Sequence, residues 1–452
     1  MNQNDLIRLG IDKMNIDADK SYEVFDPSTN NHNIFVHLIK QEKVKCDLCN
    51  TLDKHISKGS KKLEIKYSNS LEMNLNIIFY RRQYKCKNCG KYFQEHSPFT
   101  DKNKSISAYT EIRILNELKD INATYKSVAY KFNLSITQIQ NIFDKRIDIK
   151  PLKFSPVICV DEVYNKKLTI KKFCFVIFNP IDKKVIDILP SRQSTDLSTY
   201  FSRISASERD NVKYFSCDLH EPYRQIARKW FPDALICADP FHVIKNLSIQ
   251  FHNVRRRIMR QYLHLKEHND AYYWFYKNYW RLLTTKRDNL SWKKRKIGRT
   301  GQYLSQIEIV KFMLDISEEL TRAYDLYHEY LDFNYAATKD SAKERLDNLI
   351  EKFKLSNIKE YIQIKKMLES WHDEIINSFN KYNDIRITNG PMERANRDIK
   401  TIYRNAYGAR NFIRMRNRLM YVMNEGASIL LTPKEKTNKQ EYHKRGNYKK
   451  NK

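Results

Sequence analysis

Three carboxylates in this chain stand where an apolar run stops. Asp161 follows VICV at 157–160, Asp218 follows VKYFSC at 212–217, and Asp239 follows ALICA at 234–238. Short apolar runs alternating with helical patterns suit parallel strands buried on both faces, and α/β sheets gather their ligands at the carboxyl ends of such strands. Carboxylate oxygens are hard acceptors, so three of them at one sheet end describe a site for a hard divalent cation. His242, three residues beyond Asp239, reads either as an orienting residue beside that site or as a packed core histidine capping a helix. A second donor set is sulfur. Cys46 with Cys49, and Cys86 with Cys89, form two C-x-x-C pairs. Two turns that each present two thiolates satisfy one tetrahedral zinc and leave no open position, which makes that ion structural. His55 and His96 could replace a cysteine, but four sulfurs already complete the shell. Cys159, Cys174, Cys217 and Cys237 lie inside apolar runs and read as small core residues.

The elements that must hold these groups follow from the chain in order. Residues 1–100 read as a zinc-ribbon-like module, in which the strand-like LEMNLNIIFYRRQY brings the second cysteine pair back onto the first. Residues 101–150 read as helices. The last two join at Asn133 and Leu134, with Ser135 as N-cap, and match a helix-turn-helix whose second helix offers Thr137, Gln138, Gln140 and Asn141 to DNA. The plainer alternative is a three-helix bundle with Val128, Phe132, Ile136 and Ile139 as core. Residues 151–247 read as a three-stranded meander followed by strand, helix, strand, helix, the element order of a ribonuclease-H-like α/β domain. In that order strands one and four are neighbours, so Asp161 and Asp218 face each other, while Asp239 lies one strand further out.

Residues 248–380 read as a large α-helical insertion whose aromatics, at helical spacing, form core. Within it, SWKKRKIGRTGQ reads as a basic loop suited to phosphate through Lys293, Lys294, Arg295, Lys296 and Arg299. Residues 381–431 return to the α/β domain: Asn389, Gly390 and Pro391 make a turn that starts a helix, with Glu393, Asn396, Arg397 and Lys400 sharing a face. Residues 432–452 read as a basic disordered tail. The fold class is therefore multidomain α+β.

The charge balance points to a partner. Lys and Arg number 82 against 53 Asp and Glu, a net charge of +29. Such an excess repels itself in a compact chain, and a polyanion, nucleic acid foremost and an anionic membrane surface as the alternative, relieves it. No apolar run approaches the roughly 18–20 residues that span a bilayer, and the first residues lack the apolar core of a signal peptide. The expectation is a cytoplasmic protein without a membrane partner.

Taken together, the paired C-x-x-C, the helix pair, VDEVYNKK, SCDLHEPY, ADPFHVIK and NG-x-x-E-x-x-N-x-x-I-K followed by GARNF resemble the ISL-three family of insertion-sequence transposases, which have a DDE catalytic core. The resemblance covers most of the chain. It implies Asp161, Asp218 and Glu393 as catalytic acids that bind two magnesium ions. Asp239 and His242 match the D-x-x-H that follows the second acid in related enzymes, and Asn396 and Lys400 support the site. Arg394 departs from the pattern, which leads one to expect a small residue there. The implied activity is metal-dependent cleavage at the element's terminal inverted repeats and joining of the 3′ ends to target DNA, by a homodimer or higher oligomer on double-stranded DNA. The alternatives are a DNA-binding regulator with an inert nuclease-like domain, and a structure-specific nuclease or resolvase.

Overall fold

The computed structural model describes residues 15–40, 43–70, 73–100, 104–165, 171–261, 271–406, 410–430, 432 and 434. The expected tail at 432–452 thus lies almost wholly outside the described residues. The chain divides into two units, residues 1–150 with 401–452, and residues 151–400.

The first unit begins with a sheet of β1 (Tyr22–Asp26), β2 (Asn31–Val36), β3 (His55–Ser70), β4 (Met73–Cys86) and β5 (Tyr92–Gln94), in the order β1-β2-β4-β3 with β5 on β4. Alternate residues Ile34 and Val36, Ile65 and Tyr67, and Ile77 and Phe79 face one core, the period of two that a half-covered sheet requires. The antiparallel β3–β4 register pairs His55 with Cys86, which carries the second cysteine pair back to the first.

Three helices follow: α1 (Ala108–Glu117), α2 (Tyr125–Lys131) and α3 (Ile136–Arg146). Thr124 and Ser135 cap α2 and α3 with reciprocal boxes that satisfy the first free N–H groups. The turn between them is tight because Asn133 takes a left-handed conformation, φ 48°. Val128, Phe132 and Ile139 are buried, but Ile136 is 43% exposed and does not belong to the core. Arg146 pairs with Glu111 in the interior, its Nε 2.7 Å from the carboxylate.

The second unit is built on β6 (Val157–Tyr164), β7 (Phe173–Asn179), β8 (Lys184–Leu189), α4 (Ser194–Phe201), α5 (Ala206–Arg209), β9 (Tyr214–Cys217), α6 (Glu221–Trp230), β10 (Leu235–Ala238) and α7 (Pro240–Gln261). The sheet order is β10-β9-β6-β7-β8, with β6, β9 and β10 parallel and β7 and β8 antiparallel. The first and fourth strands are neighbours, as the sequence reading expects. Val157, Ile158, Cys159 and Val160 are fully buried, and each large aliphatic so placed contributes roughly 1.5–3 kcal/mol.

The chain continues through α8 (Ala271–Asn278), β11 (Arg295–Lys296), β12 (Tyr303–Leu304), α9 (Gln306–Leu314), α10 (Glu318–Ala336), α11 (Lys339–Leu355), α12 (Tyr361–Ser370), α13 (His372–Asn377), β13 (Lys381–Tyr382), β14 (Ile385–Arg386), α14 (Gly390–Asn405) and α15 (Phe412–Met423). Three expectations need correction. The stretch 248–380 is not helical throughout, because β11 and β12 pair as a hairpin within the basic segment. Nor does it begin at 248: α7 starts at Pro240, and one hydrophobic core runs from Ile158 and Phe215 of the sheet to Phe251, Tyr327 and Phe379 among the helices. Finally, the boundary between units falls inside 381–431. Tyr421 of α15 is buried with Leu115 and Phe143, and Arg414 binds Asp144 at 2.6 Å, so α15 packs on the three-helix bundle.

Candidate functional site

The register of the second sheet explains how three acids from distant segments meet. Cys159 pairs with Ser216, and Cys217 with Ala238. Two steps on along β6, and one step on along β9 and β10, these rows reach Asp161, Asp218 and Asp239, one acid per strand at about 4.8 Å spacing. Asp218 and Asp239 follow the last residues of their strands. Asp161 does not: β6 runs on to Tyr164, paired with β7, so Asp161 sits inside the strand where its parallel neighbour ends.

The donor atoms of Asp218, Asp239 and His242 all lie within 4.8 Å of one another. Pro240 opens α7, and His242 in its first turn folds Nδ1 back to Asp239 Oδ2 at 2.9 Å and to within 3.0 Å of Asp218 Oδ1. A single ring N–H serves one acceptor well, and Asp239 takes it, which leaves the buried Asp218 Oδ1 without a donor. Burial opposes charge on His242, but the carboxylates of Asp218 and Asp239 against its ring outweigh it and raise the imidazole to about 10.

The two acids beside His242 differ in surroundings. Asp239 is 1% exposed, and its other oxygen accepts the Asn389 N–H at 3.2 Å, so both oxygens are engaged. The Asp218 side chain is 18% exposed, and its Oδ1 meets the His242 ring without completing a hydrogen bond. Asp161 is raised to about 7, first by burial and then by the charge of Asp218.

Helix α14 closes the site. Asn389, buried at its start, donates Nδ2 to the Val160 carbonyl at 3.4 Å, and Thr388 offers its carbonyl to the Cys159 thiol. Nearly two turns into the helix, Asn396 donates to Asp161 Oδ2. Met392, Ala395, Asn396 and Ile399 form the buried stripe, while Glu393, Arg397 and Lys400 are exposed. At 100° per residue Glu393 and Lys400 border that stripe on the side of Asn396. The structure therefore brings together Asp161, Asp218, Asp239, His242 and Asn396, with Glu393 and Lys400 on the adjoining helix face. Arg394 is exposed, so its bulk takes no room from the packed side of α14.

These residues fit a divalent cation. Asp218 Oδ1, Asn389 Oδ1 and Asn396 Oδ1 are buried acceptors with no donor, and Asp161 and Asp218 repel each other, a repulsion that positive charge relieves. Sequence reasoning missed two neighbours. Asn389 was read only as a turn residue. Glu162 was not read at all; it binds Arg192 and accepts the Tyr223 hydroxyl at 2.7 Å, and both the buried ring and that bond push Tyr223 far above the usual phenol range. The acidic pair D-E at 161–162 was the available signal for it.

The four sulfurs of Cys46, Cys49, Cys86 and Cys89 also lie within 4.8 Å of one another, a set able to hold one metal ion. Their two turns are built alike. Cys46 and Cys86 donate their N–H to Thr51 and Lys91 at 3.0 and 2.9 Å, and accept from Asn50 and Gly90 at 3.0 and 3.1 Å. Asn50 and Gly90 are both left-handed, with φ of 58° and 70°. The hydroxyl of Thr51, bonded to Cys49 Sγ, holds that thiol down at about 6. His96 instead pairs with Asp47 at 3.2 Å, and His55 packs edge-on against Tyr84.

Of the proposed DNA contacts, Thr137, Gln138 and Asn141 are exposed on α3 and Gln140 is half-buried. Gln138 also spends its carbonyl oxygen on the Ser135 N–H. Lys293, Lys294, Arg295, Lys296 and Arg299 are exposed on the β11–β12 hairpin. No helix is long and apolar enough to cross a membrane, among the described residues.

A search of curated proteins found no match. A family model described as transposase, that of the ISL3 (ISL-three) DDE group, matches residues 158–419. That span is more than half of the 452 residues; it opens in β6 three residues before Asp161, takes in the whole acidic row and Glu393, and ends in α15. The chain belongs to the ISL3 family of DDE transposases.

Proposed function

We propose that this transposase binds the terminal inverted repeats of its insertion sequence, cleaves phosphodiester bonds there with two divalent metal ions, and joins the freed 3′ ends to target DNA. The observation that carries the reading is the row of acids on three adjacent parallel strands, closed by a helix that touches Asp161 through Asn396. Asp161 and Asp218, with Glu393 from α14, would hold the ions, which we assign as magnesium. When bound, these ions activate water and stabilise the leaving 3′ oxygen. Asp239 and His242 position Asp218, since the imidazolium lies against both carboxylates and fixes their spacing. Asn396 orients Asp161, and Lys400 on the same helix face is placed for a phosphate. Support for a ribonuclease-H-like domain comes from the strand order and the β6–β9 neighbourhood.

In the same reading the four cysteines hold one structural zinc, and α2–α3 is a helix-turn-helix whose exposed Thr137 and Asn141 meet base edges. The protein acts as a dimer or larger assembly on double-stranded DNA. A strand-transfer assay with the full chain, magnesium and the element's own ends tests the proposal. The expected product is element 3′ ends covalently joined to a second duplex. Cleaved ends that are never joined would instead favour a nuclease or resolvase, and binding without cleavage an inert regulator.

A further inference from the structure

Residues 291–306 form a hairpin with an unusual surface. Gln306 donates its N–H to the Ser291 carbonyl at 3.1 Å and returns its side-chain oxygen to the Ser291 N–H at 2.9 Å, which fixes the root. Arg295 then pairs with Leu304 and Lys296 with Tyr303, and Ile297 anchors the end by burial. Between root and end the run Trp292, Lys293, Lys294, Arg295, Lys296 is exposed throughout. Trp292 is 79% exposed, and Tyr303 across the hairpin is 63% exposed. A cationic run alone is commonly a solvated face, but a large indole left in water among four cations forfeits the burial that makes tryptophan favourable in a fold.

The chemistry that rewards this arrangement is a π-face flanked by phosphates. In intact duplex the base faces are stacked on one another, so an indole beside the backbone has nothing to stack on. An unpaired nucleotide offers a face, and stacking on aromatic side chains within a basic groove is how single strands are held. We propose that the hairpin is a binding site for unpaired DNA, in which Trp292 stacks on an exposed base while Lys293, Arg295 and Lys296 contact the neighbouring phosphates. Lys294 is partly committed, being 3.0 Å from Glu308. The choice of DNA rests on the transposase reading above; the stacking does not.

The test uses the full chain and fluorescence polarisation with a blunt duplex, the same duplex with a short single-stranded DNA tail, and the duplex with an RNA tail. The wild type is expected to bind the DNA-tailed duplex at least about fivefold tighter than the blunt one, the low end of what one stacked base contributes. Trp292→Ala removes that preference, and Trp292→Phe keeps most of it. Lys293→Gln with Lys296→Gln weakens binding to both and lowers the salt dependence by roughly one to two phosphates. Equal binding of tailed and blunt duplex by the wild type, an undiminished preference in Trp292→Ala, or a preference for the RNA tail overturns the proposal. Failure to bind any of the three would count against the transposase reading instead.

Discussion

Two clusters of metal-type donors in this protein are assembled in opposite ways. The cysteine cluster takes its four sulfurs from two local turns with the same hydrogen bonds, joined by a single hairpin. The acidic cluster draws on three strands and two helices, and its Asp161–Asn396 contact spans 235 residues. In the first, each pair of ligands is fixed by a few neighbouring residues. In the second, neighbours such as Glu162 and His242 bond Asp161 and Asp239 locally, but the acids meet one another only through sheet register and helix packing. A local site should therefore fail by unfolding its own module, and a distributed one by losing chemistry while its scaffold stands.

The largest effect expected is on the cysteine cluster. Cys46→Ser leaves three thiolates, and since a structural zinc supplies roughly 10 kcal/mol or more of apparent folding free energy, the sheet around it should not hold together. Metal analysis should fall from one zinc per chain, and limited proteolysis should cut within 43–100 while 151–400 stays protected. A zinc-free wild type that resists protease equally would remove the ion from the account.

Next comes the acidic row. Asp218→Asn is expected to lower magnesium-dependent cleavage by more than about a thousandfold, because a bound metal supplies several kcal/mol to the transition state. Its melting temperature should fall less than that of Asp239→Asn, since the side chain is partly exposed and gives up the ionic contact with His242 rather than a buried hydrogen bond. Asp239→Asn should do the reverse in emphasis. Its two engaged oxygens include one facing His242, so an amide there costs about 1–3 kcal/mol of stability, read by denaturant titration, with a smaller loss of cleavage. If Asp239→Asn abolishes cleavage at unchanged stability and Asp218→Asn does not, the assignments must be exchanged.

The same contrast explains what the sequence made legible. The C-x-x-C pairs could be found because paired cysteine turns are local, and the apolar runs before Asp161, Asp218 and Asp239 could be found because buried parallel strands are continuous in sequence. The adjacency of β6 and β9 followed from element order. What could not be read was anything set by packing between remote segments. Asn389 bridges Asp239 and Val160 through a turn whose sequence announces only a turn. The placement of α15 on the helical bundle depends on Tyr421, Arg414 and Arg418, ordinary residues in an amphipathic helix. Asp161 looked like a strand end because the apolar run stops there, yet pairing with β7 carries β6 three residues further. The hairpin at 291–306 carries no alternating pattern, since its exposed strand is cationic on both faces.

A smaller effect separates the clusters by pH. Asp161 titrates near 7 in the folded protein, above the usual carboxyl value, through burial and the Asp218 charge. An acid raised on folding binds more protons in the native state than in the unfolded one, so the metal-free protein loses stability as pH rises from about 4 to 7, by up to ~4 kcal/mol. The His242 contribution is present below about 6.5 and lost as pH rises towards 10, so the interval from 4 to 6 isolates Asp161. Over that interval Asp161→Asn should flatten the fall in stability. Magnesium should restore the wild type at pH 7 and leave the variant unchanged; identical pH profiles for the two proteins would refute the charge argument.

The smallest effect expected tests how alike the two cysteine turns are. Gly90 and Asn50 hold the same place, each donating to the carbonyl of the first cysteine of its pair and each left-handed. A Cβ added at Gly90 would meet nothing within 4 Å, so only backbone preference opposes a side chain there. An alanine in the left-handed region costs roughly 1–2 kcal/mol. Asparagine pays less, because its short polar side chain tolerates that region, and Asn50 shows the turn accepting it. Gly90→Asn should therefore lie within a few tenths of a kcal/mol of wild type, and Gly90→Ala about 1 kcal/mol below it, both with zinc content unchanged. A Gly90→Asn variant that loses zinc would show that the second turn needs glycine for something beyond its backbone angle, and that the two halves of the cluster are not interchangeable.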